Sequence, residues 1–305
     1  MPKHVEIERT REEEIAKLID FLAEKTNFFE KPKLILIGGY GIRAFTPFRR
    51  GTRDCDFIVV KKKGWGIDEI KELLAKDFQI EVFEKRGGSG FMRCVKRVKV
   101  GKMFVKISVD FMEGAVTGRV GKEVVKIDEK FVLNSRKTKI KIGGREVEVF
   151  VPSYVDYFIL KVVSARTVDA MDIAALVWKK GIPKGLKNRV KEILPYPELF
   201  EEKLRSSILL IIRDVGFFHG LRGRFTTREF DEKVWKQVIL QLSKLLSENV
   251  NKTEKERKTV GFYRDEFKRI RKIEKYFLTS SARSSWFKLC WGMFILFFGY
   301  ILMGI

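Results

Sequence analysis

The sequence predicts an α+β fold: a sheet-rich half, an all-helical half and a hydrophobic helix at the C-terminus. Three observations carry that reading. Short apolar runs separated by glycine turns fill residues 1–151, the pattern of strands and hairpins. From residue 152 to about residue 280 apolar residues recur at helical spacing, and a run of strands followed by a run of helices belongs to the α+β class. Leu289 to Ile305 is seventeen residues without a charge, and the apolar stretch 286–305 is interrupted only by Lys288. With 305 residues, 45% of them hydrophobic, the chain can bury a sizeable core, and such a length suggests about two domains. The boundaries fall at residues 1–151, 152–280 and 286–305.

Each element has its own signal. Thr10-x-x-Glu13 reads as a capping box opening a helix. Ile15, Leu18, Ile19 and Leu22 form its apolar face to about Glu24. Lys33 to Ile37 is a buried strand running into the Gly38-Gly39 turn, after which Tyr40 to Phe45 can open a helix. Asp54 and Asp56 head the next strand, Cys55 to Val60. An amphipathic helix spans Ile67 to Ala75, and strands follow at Gln79–Lys85, Phe91–Val100 and Lys102–Phe111. In the last of these Asp110 is a single carboxylate among Ile107, Val109 and Phe111. Gly114 to Val124 reads as a loop, and Lys137 to Val151 as a hairpin turning at Gly143-Gly144. Ser153-x-x-Asp156 caps a helix reaching Arg166, and Asp169 and Asp172 open the next one. Leu204–Phe218 is predicted as one apolar helix, Leu221–Phe225 as a basic loop and Phe230–Leu246 as an amphipathic helix. Residues 251–277 are densely basic.

Composition narrows the function classes. Lys and Arg number 62 against 40 Asp and Glu, a formal net charge of +22, which points to nucleic acid or an anionic membrane surface. Cys55, Cys94 and Cys290 form no C-x-x-C pair, and an odd count suits neither a zinc knuckle nor a disulfide framework. With only His4 and His219 in the chain, imidazole catalysis and histidine metal sites are improbable.

The chemistry concentrates between Lys33 and Val60. Glycine amides at a strand-to-helix turn can cradle phosphate oxygens. Side chains alternate along a strand, so Asp54 and Asp56 share one face. Two carboxylates beside a phosphate cradle suit a divalent metal carrying a nucleotide.

Gly38-Gly39 followed by Arg50-x-Thr52-x-Asp54-x-Asp56 resembles the signature of the DNA polymerase β-type nucleotidyltransferase superfamily. The nearest resemblance is to its abortive-infection and toxin–antitoxin branch. A second block, Lys161, Arg166, Asp169 and Asp172, matches that branch independently, and the two together cover residues 33–178. One position departs: Tyr40 stands where such enzymes often carry Ser or Thr. The resemblance implies a mixed-sheet nucleotidyltransferase core. In it Asp54 and Asp56 would hold two Mg2+ (or Mn2+) ions with an NTP. Asp110 would complete the metal site and help deprotonate the attacking hydroxyl, with Glu113 as the alternative. Gly38, Gly39, Arg50, Thr52 and Lys161 would bind the nucleotide, and Arg166, Asp169 and Asp172 would anchor the helical half beside it. Relatives of this branch modify tRNA ends or protein hydroxyls and pair with an antitoxin; the net charge favours RNA. The alternative is a catalytically degenerate, membrane-tethered protein that binds nucleotides or nucleic acid.

The C-terminal stretch is long enough for one membrane span, which needs roughly 17–25 apolar residues. Lys288 can snorkel at its end, and the basic residues before it would keep the catalytic part cytoplasmic. A hydrophobic helix docked on the rest of the chain is the alternative.

Overall fold

The computed structural model describes residues 4–26, 33–48, 50–117, 124–214 and 216–249. The basic stretch 251–277 and the expected C-terminal helix 286–305 lie outside the described residues.

The sheet sets the position of everything else. Its strands are β1 (Leu34–Ile37), β2 (Asp54–Val59), β3 (Gln79–Arg86), β4 (Ser89–Val100) and β5 (Met103–Glu113). They lie in the order β1-β2-β5-β4-β3. β2 and β5 run parallel and the other neighbours antiparallel, so the sheet is mixed. β5 is central, with Ile107, Val109 and Phe111 fully buried.

Alternation gives the sheet two unlike faces. One bears Cys55, Phe57, Met92, Cys94, Val109 and Phe111, all almost fully buried. Helices α1 (His4–Thr26) and α3 (Ile67–Leu74) cover it. Glu14 of α1 pairs with Lys96 of that face at 2.7 Å, and the Ile67 amide donates to Glu113 Oε2 at 2.9 Å. Apolar burial of this kind contributes about 1.5–3 kcal/mol per Ile, Leu or Phe side chain. The opposite face carries Asp54, Asp56, Arg93 and Asp110 and is left open to a cleft.

Beyond β5, Gly114 turns the chain at φ +76° into β6 (Ala115–Thr117), which pairs with β7 (Val124–Lys126) where the sequence suggested only a loop. After α4 (Glu129–Leu133) the hairpin β8 (Arg136–Ile142) and β9 (Arg145–Val151) packs beside β1 and α1. The helical half then follows: α5 (Tyr154–Ser164), α6 (Thr167–Lys180), α7 (Leu186–Ile193), α8 (Glu198–Arg213), α9 (Phe217–Arg224) and α10 (Glu232–Asn249). Among the described residues no helix is long and apolar enough to cross a membrane.

Three helical segments differ from expectation. α1 begins at His4, so Thr10 and Glu13 lie inside it rather than at its cap. Glu13 is taken instead by Arg9 one turn earlier at 2.7 Å, and Glu6 meets the positive end of the helix dipole in the first turn. The apolar run Leu204–Phe218 is two helices, because Asp214 Oδ1 accepts from the Gly216 amide at 2.8 Å and stops the first. The expected basic loop at Leu221–Phe225 is mostly the last turn of α9. Its buried Phe217, Leu221 and Phe225 recur every fourth residue, a helical spacing obscured by the intervening Gly and Arg.

Candidate active site

The strand β1 ends at the glycines, and the structure shows why both must be glycine. Gly38 has φ +63°, and a Cβ there would collide with the Asp56 carboxylate. A Cβ on Gly39 would collide with the Arg50 guanidinium and the Thr52 hydroxyl. The turn is therefore pressed against the residues of the Arg50-x-Thr52-x-Asp54-x-Asp56 segment. Tyr157 of α5 fixes it from the other side, donating its hydroxyl to the Gly38 carbonyl at 2.6 Å. Tyr40, the departing position, points away: it is fully buried, with the Arg43 guanidinium 4.8 Å from its ring centre. It offers no side chain to the cleft.

β2 and β5 bring the carboxylates together. Their parallel register sets Asp56 opposite Asp110 and Asp54 opposite Ser108, so all three aspartates share a face. Asp54 is exposed at the strand end, Asp56 half-buried and Asp110 buried. Burial and the neighbouring Asp110 push the Asp56 carboxyl up to about 6. Asp110 is held by Arg93, which donates Nε to Oδ1 at 2.7 Å and a terminal nitrogen to Oδ2 at 2.6 Å.

These residues fit a divalent ion of the Mg2+ type in one respect and constrain it in another. Asp54 and Asp56 are hard oxygen donors, and among the described residues no hydrogen bond or ion pair engages either side chain. A half-buried carboxylate with a raised pKa and no contacting cation is an unfavourable state that a divalent cation relieves. Asp110, by contrast, already has a bidentate partner. Among the described residues no three carboxylate, His or Cys groups form a metal cage by themselves.

The second block forms a buried charge cluster behind the turn. Lys161 is 3% exposed and lies 3.1 Å from Asp169 and 2.8 Å from Asp172. Arg50, which follows the glycine turn, pairs with Asp172 at 2.6 Å. Arg166 and Ser164 both donate to Asp169 Oδ2, at 2.6 and 2.8 Å. Burial acts to raise the Asp169 pKa, but Lys161 and the Arg166 and Ser164 hydrogen bonds outweigh it and hold the carboxyl well below its ordinary range. Burial acts likewise to lower the Lys161 pKa, and Asp172 and Asp169 reverse it. Through Arg50 and Asp172 this cluster ties α5 and α6 to the loop preceding β2.

A cleft of about 1870 Å³ runs along the open sheet face to the wall made by α9. Gly38, Gly39, Arg50, Thr52, Asp54, Asp56, Asp110, Lys161, Arg166 and Asp169 all line it; Asp172 sits behind them, fully buried. Sequence reasoning passed over Tyr157 and Arg93. Tyr157 follows Asp156 directly and stands at the head of the apolar run Phe158-Ile159-Leu160, with no local signal of a polar role. Arg93 stands opposite Asp110 only once the β4–β5 register is known. The only two non-glycine residues at positive φ among the described residues, Ala165 and Thr226, both line the cleft.

A mixed sheet with an Asp-x-Asp strand packed against a Gly-Gly turn, and a charged helical block behind it, is the arrangement that the resemblance to nucleotidyltransferases implies. The chain is a member of the family described as nucleotidyltransferase of unknown function (DUF6036), whose model matches residues 13–182. No curated protein matches it. Similar solved structures include JHP933 from Helicobacter pylori, with a TM-score of 0.42, 13% identity and coverage of 81% of this chain and 95% of that one. Another is a chain from H. pylori described as a candidate nucleotidyltransferase, with a TM-score of 0.39, 13% identity and coverage of 76% and 93%.

Proposed function

We propose that the protein transfers a nucleoside monophosphate from an NTP to a hydroxyl of RNA or protein, with Mg2+ or Mn2+ required. The observation that carries this is the contact between Gly38 and Asp56, with Asp54 and Asp110 on the same sheet face. Asp54 and Asp56 are the residues that would hold the divalent ions, which when bound offset the charge of the triphosphate and of the leaving pyrophosphate. The Gly38-Gly39 backbone, with Arg50 and Thr52 against it, shapes the phosphate end of the cleft. Lys161 keeps Asp169 and Asp172 in place and adds positive charge at short range. Asp110 is the base for the attacking hydroxyl: as the oxygen bonds to the α-phosphorus, the bond to the β-phosphate breaks and the hydroxyl proton passes to the carboxylate.

The cleft volume exceeds the roughly 300–1,000 Å³ of an ordinary small-molecule pocket, which supports a macromolecular acceptor beside the nucleotide. The two-block pattern supports a place in the toxin–antitoxin branch, with an antitoxin as partner. The charge-free stretch supports a membrane anchor at residues 286–305, following a core at 1–151 and a helical domain at 152–280, both cytoplasmic. A second reading, a degenerate nucleotide-binding protein, is favoured by one observation: Arg93 occupies both oxygens of Asp110.

The test is incubation with each α-labelled NTP, Mg2+ or Mn2+, and either total RNA or total protein. Label covalently attached to one of the two macromolecular fractions is expected. Nucleotide binding without transfer in any combination favours the degenerate reading.

A further inference from the structure

Helix α9 contributes one wall of the cleft. Phe217 and Leu221 turn inward and are fully buried. His219, Gly220, Gly223 and Arg224 turn toward the cleft. Gly220 lets the helix lie close, since a Cβ there would strike the Met171 side chain of α6 at 2.8 Å, whereas Gly223 faces open space. Arg224, at the helix end, is thereby half-buried beside the charge cluster.

The cations around it are matched. Arg50 has Asp172, Lys161 has both Asp169 and Asp172, Arg166 has Asp169 and Arg93 has Asp110. Among the described residues Arg224 has no carboxylate, and its Nε is buried without an acceptor. The two nearby carboxylates, Asp169 and Asp172, are committed to other cations. Burial, and then the like charge of Arg50, hold its pKa below the ordinary guanidinium value. A charge held partly out of water without a partner is unfavourable to the fold. The guanidinium fork matches phosphate oxygens bidentately, and Arg224 lines the cleft.

We propose that Arg224 is an anion-binding residue for a phosphate group entering the cleft from the α9 side, either from the NTP triphosphate or from the backbone of a nucleic-acid acceptor. Arg224 lies beyond residues 13–182, which the family model covers. The proposal rests on the nucleotidyltransferase reading only for the source of the phosphate.

The experiment compares the full chain with Arg224→Gln and Arg224→Lys in three measurements made without transfer chemistry. They are the melting temperature without ligand, the affinity for tripolyphosphate, and the affinity for a short single-stranded RNA lacking a 5′-triphosphate. Arg224→Gln is expected to melt no lower than the parent, because it removes a charge that has no ion-pair partner among the described residues. It should also lose about tenfold or more in affinity for at least one probe, as expected for one charge-assisted contact. Loss for tripolyphosphate assigns the site to the nucleotide tail. Loss for RNA alone, with a salt slope reduced by about 1, assigns it to the acceptor. Arg224→Lys should retain more affinity than Arg224→Gln. Affinities within twofold for both probes overturn the proposal, as does a lower melting temperature in Arg224→Gln, which would make the residue structural. Failure of transfer in every NTP assay would remove the activity reading and leave these binding results standing.

Discussion

Asp56 is half-buried beside Asp110, with no cation in contact among the described residues, and burial first and Asp110 second raise its carboxyl to about 6. An ordinary aspartate titrates near 3.9. The folded chain therefore binds this proton more tightly than the unfolded chain does. The stability this lends is fully present below about pH 4 and is lost as pH rises to about 6, by at most on the order of 3 kcal/mol. Asp56→Asn should lack that drop and, without divalent ions, be more stable than the parent at pH 7.5. Chemical denaturation at pH 4.5 and 7.5 checks it; parallel pH profiles in the two proteins would refute the assignment. Lys161 is the opposite case, a buried cation with two carboxylates. Lys161→Met leaves Asp169 and Asp172 without it and should destabilise the fold by about 3–5 kcal/mol, read as a shift in the urea midpoint. A change under about 1 kcal/mol would mean the cluster is not the brace described above. The sequence made the aspartates conspicuous because they are charges at the head of an apolar strand. It could not show that Lys161 is nearly sealed from solvent, since that follows from helix packing and not from residue spacing.

The elements around the site meet at the Gly38-Gly39 turn. Gly38→Ala meets both the left-handed backbone and the Asp56 carboxylate, so the turn must shift. A displacement of about 1 Å in such a site can cost on the order of 10²-fold in rate, and that loss is the expected outcome in a transfer assay. Tyr157→Phe removes only the hydrogen bond to the Gly38 carbonyl. It should cost about 1–2 kcal/mol and raise the KM for the nucleotide; a stability change with KM untouched would separate Tyr157 from the site. Strands β1 to β5 were legible as apolar runs between glycines, and the hairpin at Gly143-Gly144 by its turn residues. The break at Asp214 was not, because apolar residues resume at Phe217 and Phe218 after Arg213, Asp214 and Gly216, and the cap from the Gly216 amide to Asp214 is a three-dimensional contact. The β4–β5 register that places Arg93 on Asp110 is a pairing between distant residues and leaves no local trace.

Across the whole molecule, one sheet face is sealed by α1 and α3, and the other opens on a cleft closed by the helical half. The sequence could foretell the two halves from their different periodicities, but not the depth of the cleft between sheet and α9, which depends on how helices outside the matched region dock. The formal charge of +22 should make binding of any nucleic-acid acceptor fall steeply with salt. Deleting residues 285–305 should move the protein from the membrane fraction to the soluble fraction and leave transfer intact; loss of folding on deletion would instead make that stretch part of the core. The central claim is that Asp54 and Asp56 carry metal-dependent nucleotidyl transfer. It is tested most directly by measuring pyrophosphate release and label transfer together, at saturating Mg2+, for the parent, Asp54→Asn and Asp56→Asn. The parent is expected to release one pyrophosphate per nucleotide transferred and both folded variants to release none above background; near-parental turnover in either variant would contradict the account.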